Sequence, residues 1–245
     1  MLNPLSGNDG SISRFGKRDP TTLRIPDGSG IGVKYELNKR IDFSVGYLAN
    51  GDDAANPKYG LFSSSYSIIA QLVVNPNDNL ALALTYTHVY ETENDVNLVG
   101  STGSEIANQP FEEEATSSDR VGLQVNWLVT DNLELGGWVG LVQANQQSNG
   151  NDQGTIINGA FTLAFNDLGA ENNLGGIIIG VPPIVINHTD SELIPGETTL
   201  HLEIFYRLQI QEHLEITPGL FMLINPDTVN GNPIWIGTIR TRLNF

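Results

Sequence analysis

Apolar and polar residues alternate one by one in stretch after stretch of this chain, and that period fixes its fold class. Val121, Leu123, Val125, Trp127 and Val129 are separated by Gly122, Gln124, Asn126 and Leu128. Leu200, Leu202, Ile204, Tyr206, Leu208 and Ile210 are separated by His201, Glu203, Phe205, Arg207 and Gln209. The same rhythm runs through Ile41 to Leu48 and Leu80 to Thr87. A strand points successive side chains to opposite faces, so the pattern describes strands with one face in an apolar medium. No stretch carries a comparable helical period. No run approaches the ~20 apolar residues of a membrane helix, because the most apolar segment, Leu174 to Ile186, is broken by glycines and Pro182-Pro183.

Short polar turns punctuate the pattern, each followed by an aliphatic residue that opens the next strand. They are Asn38 to Arg40 before Ile41, Asn75 to Asn79 before Leu80 and Thr130 to Asn132 before Leu133. Asn166 to Asn173 before Leu174 and Gln211 to His213 before Leu214 complete the series. Asn, Asp and Pro suit such turns through local hydrogen bonds and preset backbone angles. The opposite hairpin ends are longer and polar, near 50–65, 91–118, 145–153, 182–197 and 225–233. Short turns on one rim and long loops on the other are the asymmetry of a transmembrane barrel. Aromatic residues sit toward both rims: Tyr47, Tyr66, Tyr86, Tyr90 and Trp235 at long-loop ends, and Tyr35, Trp127, Phe165 and Phe245 at short-turn ends. Such girdles mark membrane interfaces.

The expected architecture is therefore all-β, an antiparallel transmembrane β-barrel with about eleven visible strands. They are expected at 30–37, 41–49, 66–75, 79–90, 119–129, 133–144, 155–165, 174–181, 198–210, 214–224 and 234–245, with 174–181 the weakest in alternation. Residues 1–29 form an N-terminal loop segment on the long-loop side, and 30–245 carry the barrel strands. Single-chain bacterial barrels normally have an even strand count. An odd count, with Met1 to Gly7 lacking the basic and apolar regions of an export signal, leads to the expectation of a C-terminal portion of a larger barrel.

Composition closes off other functions. The chain has no cysteine, which removes disulfides, thiol nucleophiles and zinc-thiolate sites. Its net charge of −16 disfavours a polyphosphate partner. The four histidines, His88, His188, His201 and His213, have no metal-ligand spacing. Nucleophile elbow, phosphate loop and dinucleotide fingerprint are all missing, so neither catalysis nor a cofactor is expected.

The polar positions between the aliphatic ones are expected to face water inside the barrel. They include Lys34, Asp42, Glu203, Arg207, Glu215, Arg240 and Arg242, with Glu36, Gln71, Thr85, Thr87, Gln124, Asn126 and Glu134. Charges of both signs on opposing walls set ion preference. Arg207, Arg240 and Arg242 are candidates to attract anions or to pair with Glu203 and Glu215. Asp52, Asp53, Glu112, Glu113 and Glu114 are candidates to gather cations at the outer mouth.

The last strand, Trp235-Ile236-Gly237-Thr238-Ile239-Arg240-Thr241 through Phe245, resembles the closing strand of cyanobacterial outer-membrane porins. These are often labelled iron-uptake porins, of the OprB-like carbohydrate-selective porin superfamily. Leu214-Glu215-Ile216-Thr217-Pro218-Gly219-Leu220-Phe221 and the early Asn3-Pro4-Leu5-Ser6-Gly7-Asn8-Asp9-Gly10 to Arg14-Phe15-Gly16 stretch are similar to theirs as well. The resemblance implies a bacterial outer-membrane location, contact with lipid, and a trimeric pore for small hydrophilic solutes or inorganic ions. It also implies that the terminal Phe245 serves as an assembly signal. Family members typically carry an N-terminal surface-layer-homology domain, and nothing here matches it. A soluble carbohydrate-binding β-sandwich and a non-conducting adhesin or wall-anchor barrel stay open as alternatives.

Overall fold

The computed structural model describes residues 2–7, 10–25, 28–50, 60, 63–148 and 150–243. Eleven strands form one sheet: β1 (Gly28–Asn38), β2 (Ile41–Asn50), β3 (Tyr66–Asn77), β4 (Leu80–Glu91), β6 (Thr116–Thr130), β7 (Leu133–Gln146), β8 (Gln153–Asn166), β9 (Leu174–His188), β10 (Leu200–Gln211), β11 (Leu214–Ile224) and β12 (Ile234–Leu243). A short strand outside the sheet, β5 (Pro110–Glu113), belongs to the long loop between β4 and β6. Every neighbour in the sheet is also the next sheet strand in sequence, and all pairs are antiparallel. The sheet is not closed, and β1 and β12 are its edges. All eleven expected strands are present.

One difference is instructive. β9 continues to His188, seven residues past the expected end. Proline cannot donate to a ladder, so Pro182-Pro183 reads as a stop. The ladder accommodates the pair with register shifts between Ile157 and Gly159 on β8, while β10 pairs with β9 only as far as Gly180.

The register sorts residues onto two faces. Val121, Leu123, Val125 and Trp127 share a face with Leu84, Val139, Leu141, Phe161, Ile179, Ile204 and Leu220. These side chains are bare, and Leu123 is 51% exposed. Trp127, Tyr35 and Trp235 are exposed on it as well, and Tyr66 stacks between Tyr47 and Tyr90 at 5.9 and 5.8 Å near the long-loop rim. Among the described residues no second sheet covers this face, as the sandwich alternative would require. Hydrocarbon is the medium in which such a belt is stable. Leu123→Arg, at the middle of β6, is expected to cost about 2–4 kcal/mol, measured by denaturant unfolding of the full-length protein in bilayers; an unchanged midpoint removes Leu123 from the lipid belt.

The opposite face is covered from within. The loop between β4 and β6 lays Val96, Leu98, Val99, Ala107 and Phe111 on Val142, Ala144, Ile156 and Val185 near the long-loop rim. The N-terminal segment places Leu5 and Ile12 on Ala160, Ala164, Leu174, Ile178 and Phe205. Leu5 is fully buried, a contribution of about 1.5–3 kcal/mol for a side chain of that size. Residues 1–29, which the sequence presents as a loop segment, thus include a strap lying along the covered face, and Gly28 and Ser29 already belong to β1.

Candidate functional site: the strap across the covered face

Three anchors hold the strap, and each is an inward-pointing strand residue. The first is Glu203 on β10. Its Oε1 accepts from the Ser11 hydroxyl at 2.8 Å and from the Ile12 amide at 2.7 Å. Its Oε2 lies 3.1 Å from His201 Nε2. Nearby, Arg240 on β12 donates to the Gly10 and Ser11 carbonyls at 2.7 and 3.2 Å. The second anchor is Asn158 on β8, which donates to Asp19 Oδ1 and Thr21 Oγ1, both at 2.9 Å. Trp138 fixes the same amide by donating to its Oδ1 at 2.8 Å. The third is Arg120 on β6, fully buried, donating to the Leu98 carbonyl at 2.5 Å and the Thr21 carbonyl at 3.3 Å. Glu203 and Arg120 meet backbone groups that would otherwise be buried without partners, and Asn158 meets side chains of the strap's turn.

Local geometry makes the middle anchor compact. Asp19 caps the one-turn helix Pro20–Leu23, accepting from the Thr21 amide at 3.0 Å and the Thr21 and Thr22 hydroxyls at 2.7 and 2.5 Å. This is an N-cap with proline at the first helical position, the arrangement in which a short turn needs least further support. The turn sits in a notch made by two glycines that face each other across β6 and β7, Gly122 and Gly140. A Cβ on Gly122 would stand 2.6 Å from Asp19 Oδ2, and one on Gly180 would stand 2.8 Å from the Phe15 ring.

The residues expected in the lumen share this face. By register Lys34 opposes Ser44, Asp42 opposes Val73, Glu203 opposes Ile178, Arg207 opposes Leu174, and Glu215 opposes Arg242. The structure gives them different surroundings. Lys34 bridges Asp42 at 3.1 Å and Glu36 at 3.5 Å. Arg242 reaches Glu215 at 3.8 Å. Arg207 donates to the Asn172 carbonyl at the short-turn rim. Glu203 and Arg240 hold the strap, and Glu203, one of two carboxylates offered above as possible partners for the arginines, bonds Ser11, Ile12 and His201. Glu112 and Glu113 are exposed in the loop carrying β5, and Glu114 accepts from the Ser148 hydroxyl. Asp52, Asp53 and the terminal Phe245 lie outside the described residues.

Sequence reasoning missed Asp19, Thr21, Thr22, Arg120 and Asn158 as a set. A signal was present: Gly122, Gly136, Gly140, Gly176, Gly180 and Gly219 all occupy inward positions of the alternation. Small residues on one face of consecutive strands mark where another segment approaches closely.

The strap separates two cavities. One, of about 490 Å³, is bordered by Leu48, Asn50 and Glu91 at the long-loop ends of β2 and β4. The other, of about 520 Å³, is bordered by Asp42, Gln71 and Val73 toward the short-turn rim. Arg18 and Leu23 border both. Catalysis finds no support in the buried Ser13, His201 and Glu203 group. Both Ser13 Oγ, at 3.3 Å, and Glu203 approach the same ring nitrogen, Nε2, whereas a relay needs one partner on each nitrogen. Among the described residues no group of three or more His, Asp or Glu side chains is placed to hold a metal ion.

Comparison with known proteins agrees with this geometry. A family model described as carbohydrate-selective porin, OprB family, matches residues 2–245. An uncharacterized protein of Synechocystis sp. is 33% identical over 255 residues, covering 96% of this chain and 46% of that protein. An uncharacterized protein of Nostoc sp. is 29% identical over 258 residues, covering 100% and 44%. The chain therefore spans about half the length of the curated relatives it matches. The structure of Pseudomonas putida OprB shares the fold, with a TM-score of 0.54 at 14% identity over 88% of this chain and 58% of that one. One sheet with a bare aliphatic face, a strap on its polar face and a family match over residues 2–245 lead to one assignment: the chain belongs to the OprB family of carbohydrate-selective porins.

Proposed function

We propose that the full-length protein is a passive pore for small hydrophilic solutes, sugars and inorganic ions among them, with the strap and the loop between β4 and β6 narrowing its lumen. The observation that carries this reading is the division of one sheet into an aliphatic bare face and a polar face on which cavities lie to either side of the strap. The two unpaired edges, β1 and β12, support a wall that is completed by further strands, since an unpaired strand edge in hydrocarbon leaves each backbone group without a partner at a cost of several kcal/mol. Lys34, Asp42, Arg207, Glu215 and Arg242 are proposed to line the water path. Glu203 and Arg240 are proposed to fix its narrowest part by holding the strap.

Planar-bilayer recording of the full-length protein tests the reading. Stepwise conductance, with liposome swelling in a monosaccharide, is the expected result. Electrical silence from well-inserted, folded protein overturns it and favours the non-conducting barrel. Assembly as a trimer belongs to the same reading, and crosslinking in mild detergent checks it.

A further inference from the structure

The net charge of −16 points to cations as the favoured solute, yet the strap points the other way. Four of the chain's twelve lysines and arginines, Arg14, Lys17, Arg18 and Arg24, fall within eleven residues of strap. Among the described residues none of the four forms an ion pair with a carboxylate, whereas Lys34, Arg40, Arg120 and Arg242 all do. The acids that border the two cavities are already engaged. Glu91 meets Arg120, Asp42 meets Lys34, Asp19 accepts from Thr21, Thr22 and Asn158, and Asp95 accepts from Asn50 and Ser65 at 2.9 Å. Arg24 donates one terminal nitrogen to the Arg14 carbonyl, while its Nε is buried with no acceptor.

From this arrangement we infer that Arg18, with Arg14 and Arg24 on its outer side and Lys17 on its inner side, forms an anion site on the strap, which takes a small oxyanion: inorganic, or the acid group of an organic solute. It rests on the pore reading only for the claim that the anion passes through. Arg14, Arg18 and Arg24 border the outer cavity beside Glu91 and Asp95, and Lys17 and Arg18 the inner one beside Asp19 and Asp42; with Glu91 and Asp42 offset by Arg120 and Lys34, the strap's cations outnumber the remaining carboxylate in each cavity. A cleft with an excess of one sign and low-dielectric walls concentrates the opposite ion. The cations feel one another. Burial, then Arg14 and Arg18, pull the Arg24 guanidinium down to about 10. Burial, then Arg240, Arg24 and Arg18, hold the Lys17 ammonium below its ordinary value, against a smaller opposing pull from Glu203. Repulsion of that kind is relieved when an anion binds among them. Guanidinium groups suit the task, because their planar fork matches an oxyanion in two-point contact.

The test uses full-length protein and the double variant Arg14→Gln/Arg18→Gln, chosen because both side chains are exposed. In bilayers under a potassium chloride gradient, wild type is expected to prefer chloride. The double variant is expected to insert and still conduct, and to lose about tenfold in anion-to-cation permeability ratio, since each charge near the path acts with opposite sign on the two ions. Calorimetric titration of detergent-solubilised protein with inorganic phosphate and, separately, with gluconate reads the site without conduction. Binding of phosphate alone assigns an inorganic oxyanion, and binding of gluconate extends the site to organic acids; either is expected to vanish in the variant. Cation preference in wild type, unchanged selectivity in the variant, or no heat from either probe overturns the anion site while leaving the pore intact. Binding heat without conductance overturns the pore and leaves the site.

Discussion

Arg120→Met is expected to destabilise the protein by about 3–5 kcal/mol, the range for breaking a buried ion pair by removing one partner. The side chain is completely buried on the inward face of β6, and four groups depend on it. Nε donates to Ser118 Oγ at 2.9 Å, Nη1 to the Leu98 and Thr21 carbonyls, and Nη2 to Glu91 Oε2 at 3.4 Å. Methionine fills much of the volume but leaves the Leu98 and Thr21 carbonyls without their donor and takes away the counter-charge of Glu91. Glu91 retains the Asn97 amide at 3.1 Å, which does not neutralise it. Since Thr21 belongs to the strap and Leu98 to the long loop, one residue ties both inward segments to the wall. The variant should therefore loosen them together: trypsin reaches Arg14, Lys17 and Arg18 sooner, and the denaturation midpoint falls. Adding Glu91→Leu removes the stranded carboxylate and should recover part of the loss, because an apolar pair can replace a buried ion pair at little cost. A midpoint for Arg120→Met equal to wild type, with unchanged tryptic cleavage, would show that the anchor carries nothing.

The wall was legible in the sequence because one physical condition governs it residue by residue. A strand between hydrocarbon and a polar interior must alternate, so Val121 to Val129 and Leu200 to Ile210 declare both their conformation and their facing. Legibility failed where the cause lies far away in the chain. β9 beyond Val181 was hidden by Pro182-Pro183, whose missing amides matter little where β10 no longer pairs with that strand. The strap carries no period at all. Its path is set by Glu203, Asn158 and Arg120, partners 191, 139 and 99 residues distant in the bonds they make to Ile12, Asp19 and Thr21. Glu203 and Arg240 illustrate the limit of parity reading: alternation placed both on the inward face, but it could not tell a residue that faces solute from one that holds a segment over the wall. Charge misled in the same way. The total of −16 says little about the strap, where the cations stand apart from carboxylates already engaged elsewhere.

Gly122→Val combined with Gly140→Val should evict the strap while sparing the wall. The two glycines are paired across β6 and β7, and together they make the notch in which the turn from Asp19 to Thr22 lies. A Cβ at Gly140 would overlap Thr21 Oγ1 and stand 2.6 Å from Asn158 Nδ2; one at Gly122 would stand 2.8 Å from Thr22 Oγ1. These neighbours cannot give way singly, because Asp19, Thr21 and Asn158 are bonded to one another and Thr87 holds the Thr22 carbonyl at 3.2 Å. Valine is favoured in strands, so the wall itself should tolerate the change. Overpacking on this scale costs about 1–3 kcal/mol, and the turn can escape it by leaving the notch. The expected result is a larger unitary conductance, weaker anion preference and rapid tryptic cleavage of the strap, with strand content unchanged by circular dichroism. Gly32→Ala on β1 is the control, since its added Cβ meets nothing closer than the Val45 carbonyl at 3.4 Å. If the double valine variant conducts with the same unitary steps although its strap is cleaved as fast as a disordered peptide, the strap does not narrow the pore, and the constriction has to be sought in the loop between β4 and β6.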